Sequence, residues 1–422
     1  MVRRRGRTLR ALSVATAVFG LAACGSSVPA AAGGQIGGGT VNLGTLPPPA
    51  GLPAFYGQPR RLPGGPGTVI RSEAVDAPGV HGSVYRVMYV SEDETGRAIP
   101  VTGLVAVPPG PPPAAGFPVV SWAHGTNGMA TTCAPSLNPA NDVGFANGLL
   151  DAGMEVVASD YQGEGTPGPL PYLVGLVAAR NTVDMVRAAR HLPFAHASAD
   201  YAVWGHSEGG QTAMFALQAG PAYAPELHMA GVVAGAAPSQ FRYLYQFLTN
   251  SPFRYYLLMA AVGFHRAYGS AAPLDEVLTP TAQSLIPLLE TSCSTGVAQA
   301  VDHYSLANLV KADPYTLADW SKLIDANDPQ TFATPSPVPL LMPQGGADEQ
   351  IPVVSTQLLA QHLCSLGQDL ERWIYPGQSH AGVVPVYLPD MVKWLADRFM
   401  GATSPDPMTP TGEPGVQTTT CS

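Results

Sequence analysis

Two hydrophobic rhythms alternate along this chain. Short runs that are apolar at nearly every position occupy Pro118 to Ala123, Met154 to Ser159, Tyr201 to Trp204, His228 to Ala236 and Val338 to Met342, and a sixth strand pattern covers Leu370 to Tyr375. Between them, apolar residues recur every three or four positions, which predicts helices over Leu173 to Leu192, Gln211 to Ala219 and Val353 to Leu366. A last helix is predicted from Asp390, with Met391, Trp394, Leu395 and Phe399 on one face. Earlier, Ser83 to Val90 and Ala98 to Val107 read as strands, the second stopped by Pro108-Pro109-Gly110-Pro111. A strand apolar on both faces belongs inside a parallel sheet covered on both sides. Strand and helix in alternation therefore predict an α/β fold with a mainly parallel sheet and helices on both faces. Arg180, Asp184 and Arg187 share a face of the 173–192 helix and predict a solvated, salt-bridged stripe.

One interval breaks the alternation. About a hundred residues separate the strand ending at Ala236 from that starting at Val338. Phe241, Leu244, Tyr245 and Leu248 repeat at helical spacing there, and Tyr255 to Phe264 adds a second, aromatic helix. Residues 239–337 thus read as a helical cap inserted between two parts of one core, 67–238 and 338–400. The flanks differ in kind. Residues 24–66 are rich in Gly, Pro and Ala and predict a flexible tether. Residues 401–422 are rich in Pro and Thr and predict a disordered tail, unless Cys421 ties it down.

Charge and cysteine change the picture at the N-terminus. Arg3, Arg4, Arg5, Arg7 and Arg10 precede an apolar segment, Ala11 to Ala23, too short to span a bilayer comfortably. Residues 1–23 thus read as an export signal, and Leu21-Ala22-Ala23-Cys24 resembles a bacterial lipobox, predicting a lipid anchor on Cys24. Taking those five arginines from 21 basic residues, against 30 acidic ones, leaves −14 on the remainder. A chain so acidic, with no basic patch, does not suit nucleic acid. Export places Cys133, Cys293, Cys364 and Cys421 where disulfides persist; four cysteines allow three pairings, all open at this point. None has metal-ligand spacing, and no cofactor motif stands. Gly163-Glu-Gly-Thr-Pro-Gly168 matches a dinucleotide fingerprint in letters, but Pro167, Pro169 and Pro171 stop a helix from opening there. That loop reads instead as a cleft rim.

The candidate chemistry centres on Gly205-His-Ser-Glu-Gly209, set between a predicted strand and a predicted helix. Such a turn lifts the Ser207 hydroxyl out beside a helix N-terminus. A serine hydroxyl needs a base to attack, and the base needs a carboxylate to orient it. Asp348 follows the Val338–Met342 strand and His380 follows the Leu370–Tyr375 strand, in the chain order Ser, Asp, His. Glu349 ranks behind Asp348, and His362 lies inside a helical pattern. His206 reads as packing or a pocket wall. For an oxyanion the N–H of Glu208 is one donor; the second lies in Gly125-Thr126 or at Asp160, both after central strands.

The elbow, Ala123-His-Gly-Thr126, Cys133-Ala-Pro-Ser136, Ser159-Asp-Tyr161 and the Asp348/His380 pair resemble, in that order, the secretory lipase family, over roughly residues 65–400. The resemblance implies an α/β-hydrolase fold with a helical cap and a Ser-Asp-His triad. It implies hydrolysis of carboxylic esters, acylglycerols among them, and gives Asp160 an oxyanion role. Glu208, where the yeast lipase A enzymes carry glycine, is a departure. Transfer of the acyl group to another acceptor, peptide cleavage, and a catalytically dead lipid-binding scaffold are the rival readings.

Overall fold

The computed structural model describes residues 44–401, 408–411 and 413–421; the leader, Cys24 and the first part of the tether lie outside the described residues. Ten strands form one sheet: β1 (Val69–Val75), β2 (Ser83–Glu92), β3 (Ala98–Val107), β4 (Phe117–Ala123), β5 (Glu155–Ser159), β6 (Ala197–His206), β7 (His228–Gly235), β8 (Leu340–Gly345), β9 (Leu370–Tyr375) and β10 (Gln417–Cys421). Their order is β1-β2-β3-β5-β4-β6-β7-β8-β9-β10. From β5 to β9 all neighbours are parallel, and the two outer groups are antiparallel. The predicted α/β sheet is there, with an antiparallel margin at each side.

The strand order reverses at β4. From β4 the chain moves one way to β5, then jumps back past β4 to β6. Helices following β4 and β6 leave on opposite sides, so a crevice opens above the C-terminal ends of those two strands. Covering the sheet are α1 (Gly175–Arg190) and α2 (Glu208–Tyr223). Between β7 and β8 come α3 (Phe241–Thr249), α4 (Tyr255–Tyr268), α5 (Ser294–Val301) and α6 (Ala318–Ala326), among shorter turns. After β8 and β9 follow α7 (Val353–Ser365) and α8 (Val383–Phe399). One apolar cluster packs α1, α2 and α7 on one sheet face, and a second packs α8 on the other. A third cluster, including Met259, Val262, Val297 and Trp320, belongs to the inserted helices and meets the core at Ala123 on β4 and at Tyr161 and Tyr172 in the segment after β5.

Four expectations need correction. Asp184 is fully buried rather than solvated; it accepts hydrogen bonds from Ser91 Oγ (2.6 Å), Arg187 Nη1 (2.8 Å) and Tyr223 OH (2.9 Å). Helical spacing cannot tell a charged stripe facing water from one facing a strand that supplies partners. Residues 44–66 are not a loose tether, since Leu46 N–H donates to Gln58 O at 2.8 Å and Phe55 and Tyr56 bury against Met88. Two adjacent aromatics outweigh the Gly/Pro composition around them. The tail is ordered where described. β10 pairs with β9, Cys364 is bonded to Cys421, and the Met408 N–H donates to Glu371 at 3.0 Å. Its threonines are β-branched and suit an edge strand. Finally, α8 starts at Val383, seven residues before Asp390. Pro385 sits in its first turn, where backbone N–H groups lack helical partners anyway. Pro389 lies inside the helix and leaves the Pro385 carbonyl without its helical donor, yet the helix runs through it, with Val383 and Tyr387 buried ahead of it.

Candidate active site

The turn between β6 and α2 is as tight as its glycines predict. Ser207 has φ 60° and ψ −124°, a left-handed conformation that a non-glycine residue adopts only under constraint. A Cβ on Gly205 would run into the backbone of Gly209, and one on Gly209 into the carbonyl of Ala123 on β4. Ser207 N–H donates to Gly235 O on β7 at 3.0 Å, which fixes the apex against the next strand. The serine is partly exposed and opens into a cleft of about 390 Å³ at the β4/β6 crevice.

His380 lines the same cleft. Its Nδ1 donates to the Asp348 carboxylate at 2.9 and 3.0 Å, which leaves the Nε2 lone pair free to act as a base. The Asp348 side chain is fully buried. Burial alone would raise its pKa; the hydrogen bonds from His380 and from the Ile351 and Gln350 N–H groups outweigh it and hold the carboxyl below its ordinary value. Gln344 Nε2 adds a further donor at 3.2 Å. The loop that carries His380 is also pinned from behind. His206 Nε2 donates to the His380 carbonyl at 2.9 Å, and the His380 N–H donates to Glu349 Oε2 at 3.0 Å. Burial, then the proximity of His380, push His206 down to about 3, so it stays neutral and does not repel a protonated His380.

The predicted oxyanion donors separate into two groups. Gly125 and Thr126 line the cleft, and a Cβ on Gly125 would lie 3.6 Å from Ser207 Cβ. Glu208 begins α2, immediately after the serine. Its buried carboxyl is pushed up to about 8, opposed by a hydrogen bond from Thr126, so near neutral pH it is mostly uncharged beside Ser207. Thr126 Oγ1 also meets Tyr172 OH at 2.8 Å. Asp160 is elsewhere. Its carboxylate accepts from Thr102 Oγ1 (2.6 Å), the Ser136 N–H (2.8 Å) and Ser136 Oγ, and it is not among the residues lining the cleft. The Gly163–Gly168 loop lies outside the cleft lining too; its Glu164 faces His124 at 3.5 Å from behind, so the rim reading is corrected.

The secretory lipase family profile matches residues 134–406. The chain belongs to the secretory lipase family. Its enzyme class is that of the carboxylic ester hydrolases. A secreted triacylglycerol lipase of Malassezia globosa is 26% identical over 343 residues, covering 75% of this chain and 72% of that one. A Mycobacterium tuberculosis relative, 21% identical over 357 residues (80% and 79% covered), is named a probable inactive lipase. Among solved structures, Candida antarctica lipase A superposes with a TM-score of 0.71 at 20% identity, over 84% of this chain and 86% of that one, a likeness of fold.

In this family member two residues that spacing alone ranks low hold His380 in place. His206, read as a wall, and Glu349, ranked only as a rival acid, clamp the two backbone polar groups of His380. Their adjacency to Ser207 and Asp348 was the available signal. His362, set aside as helical, bonds Phe332 O at 2.7 Å, outside the cleft.

Proposed function

We propose that this protein hydrolyses carboxylic esters, lipid esters among them, through Ser207, His380 and Asp348. The Ser207 hydroxyl attacks the ester carbonyl while His380 Nε2 takes its proton; Asp348 keeps Nδ1 protonated and stabilises the imidazolium. The tetrahedral oxyanion is held by the Glu208 N–H and a backbone donor of Gly125 or Thr126. Collapse returns the proton from His380 to the departing alcohol and leaves an acyl-serine. Water, deprotonated by the same histidine, then releases the acid. The observation that carries this reading is the orientation of His380, fixed on Asp348 with its other nitrogen free in the cleft that holds Ser207.

A fluorophosphonate probe should label the wild type and leave Ser207→Ala unlabelled, with p-nitrophenyl butyrate turnover lost in parallel. Equal labelling would remove Ser207 from the mechanism. One relative named as probably inactive favours a second reading, a dead scaffold; absence of turnover toward every ester tried would select it. The N-terminal pattern and the secreted relatives support export, and Cys24 supports a lipid anchor. Membrane association abolished by Cys24→Ala is the expected outcome.

A further inference from the structure

A second cavity lies in the cap. It measures about 100 Å³ and is walled by apolar side chains, including Leu244, Leu248, Leu257, Phe264, Val310 and Trp320. For scale, an apolar protein cavity of about 150 Å³ stays dry and accepts benzene. Among the described residues, Tyr256 on α4 is the one that lines both this chamber and the catalytic cleft. It borders both, with its ring beside that of Tyr255 (centroids 4.2 Å apart) and parallel to that of Phe253. Its hydroxyl donates to Gln350 Oε1 at 3.0 Å, and the Gln350 N–H in turn donates to Asp348 at 3.0 Å.

We propose that Tyr256 is the specificity-determining residue for acyl-chain length, a partition latched on Gln350 that keeps long chains out of the cap chamber. The inference rests on the ester-hydrolase reading above. An acyl chain leaving a carbonyl at Ser207 gains from each methylene it moves out of water. Chains short enough for the cleft are bound with Tyr256 in place. A longer chain either projects toward solvent and gains nothing more, or displaces the ring and breaks its bond to Gln350. The latch lies on the same loop as the triad acid, so the boundary of the substrate site and the catalytic geometry are set together. The cleft is also lined by Trp122, Asp142 and Phe145, a mixed surface that offers the alcohol portion a polar partner.

The test uses the full chain and the ratio of kcat/KM for p-nitrophenyl palmitate to that for the butyrate. Tyr256→Ala should raise the ratio about tenfold, the return for roughly two methylenes entering the chamber. Tyr256→Phe keeps the ring and removes only the latch; it should raise the ratio about fivefold, as one ordinary hydrogen bond allows. Adding Ala260→Phe, which fills the chamber, should bring the Tyr256→Ala ratio back down. A ratio unmoved in Tyr256→Ala and Tyr256→Phe overturns the proposal, and so does a shift confined to acetates of long alcohols. Should Tyr256→Ala not fold, Tyr256→Phe decides alone. Wild-type protein that hydrolyses no ester and takes no probe at Ser207 sinks the functional reading instead; turnover with an unmoved ratio sinks only the partition.

Discussion

Gly209 has no space for even a methyl group, because β4 passes directly beneath it. Gly209→Ala should therefore cost about 3 kcal/mol or more, at or above the top of the usual range for overpacking, since the obstacle is backbone and cannot rotate away. Denaturant unfolding would measure it. His206 makes a different prediction. His206→Phe keeps an aromatic of similar size but leaves the His380 carbonyl without its donor, so kcat should fall about tenfold with KM nearly unchanged. Both residues explain what was readable. Gly205, Ser207 and Gly209 are forced by local geometry, and local geometry shows in adjacent letters. The place of Asp160 is decided by Thr102 and Ser136, distant in sequence, and no spacing rule reports that.

At the scale of elements, the loop after β4 is held from the cap. Cys133 is bonded to Cys293, the Asn127 carbonyl accepts from the Ser294 N–H at 2.7 Å, and Gly128 bridges to Cys293. One covalent tie thus secures both the cap and the segment that carries Gly125 and Thr126. The bridge spans 160 residues, so chain entropy alone gives it up to roughly 5 kcal/mol. Cys293→Ser should lower the thermal midpoint and, below that midpoint, reduce turnover more than it reduces helix content by circular dichroism. Central strands were legible because burial on both faces leaves an uninterrupted apolar run. The start of α8 and the fold of residues 44–66 were not, because proline and glycine mark local geometry while packing partners decide order.

Across the whole molecule, buried carboxyls set the pH response. Burial pushes Asp142 and Glu208 up to about 8 and Asp160 and Asp184 up to about 6. The folded protein keeps these protons over a range where the unfolded chain has lost them, so stability falls as pH rises through that window. His124 and His206, pushed down to about 4 and 3 by burial, act oppositely, and only below their ordinary 6.5. Between pH 6.5 and 8 those two histidines no longer offset Asp142 and Glu208. The denaturant midpoint should decline across that interval, and Glu208→Gln should flatten the decline.

The strand formed by Gln417–Cys421 lies along β9, whose six residues are all buried. Trimming the chain ahead of Met408 would uncover a row of unpaired amides and carbonyls along β9, a ready template for a second molecule. Such a product should be lost to the pellet before it loses its chemistry, with sedimentation rather than assay giving the first sign. A purification handle at this end belongs beyond a spacer, so that it does not pull the closing strand out of register.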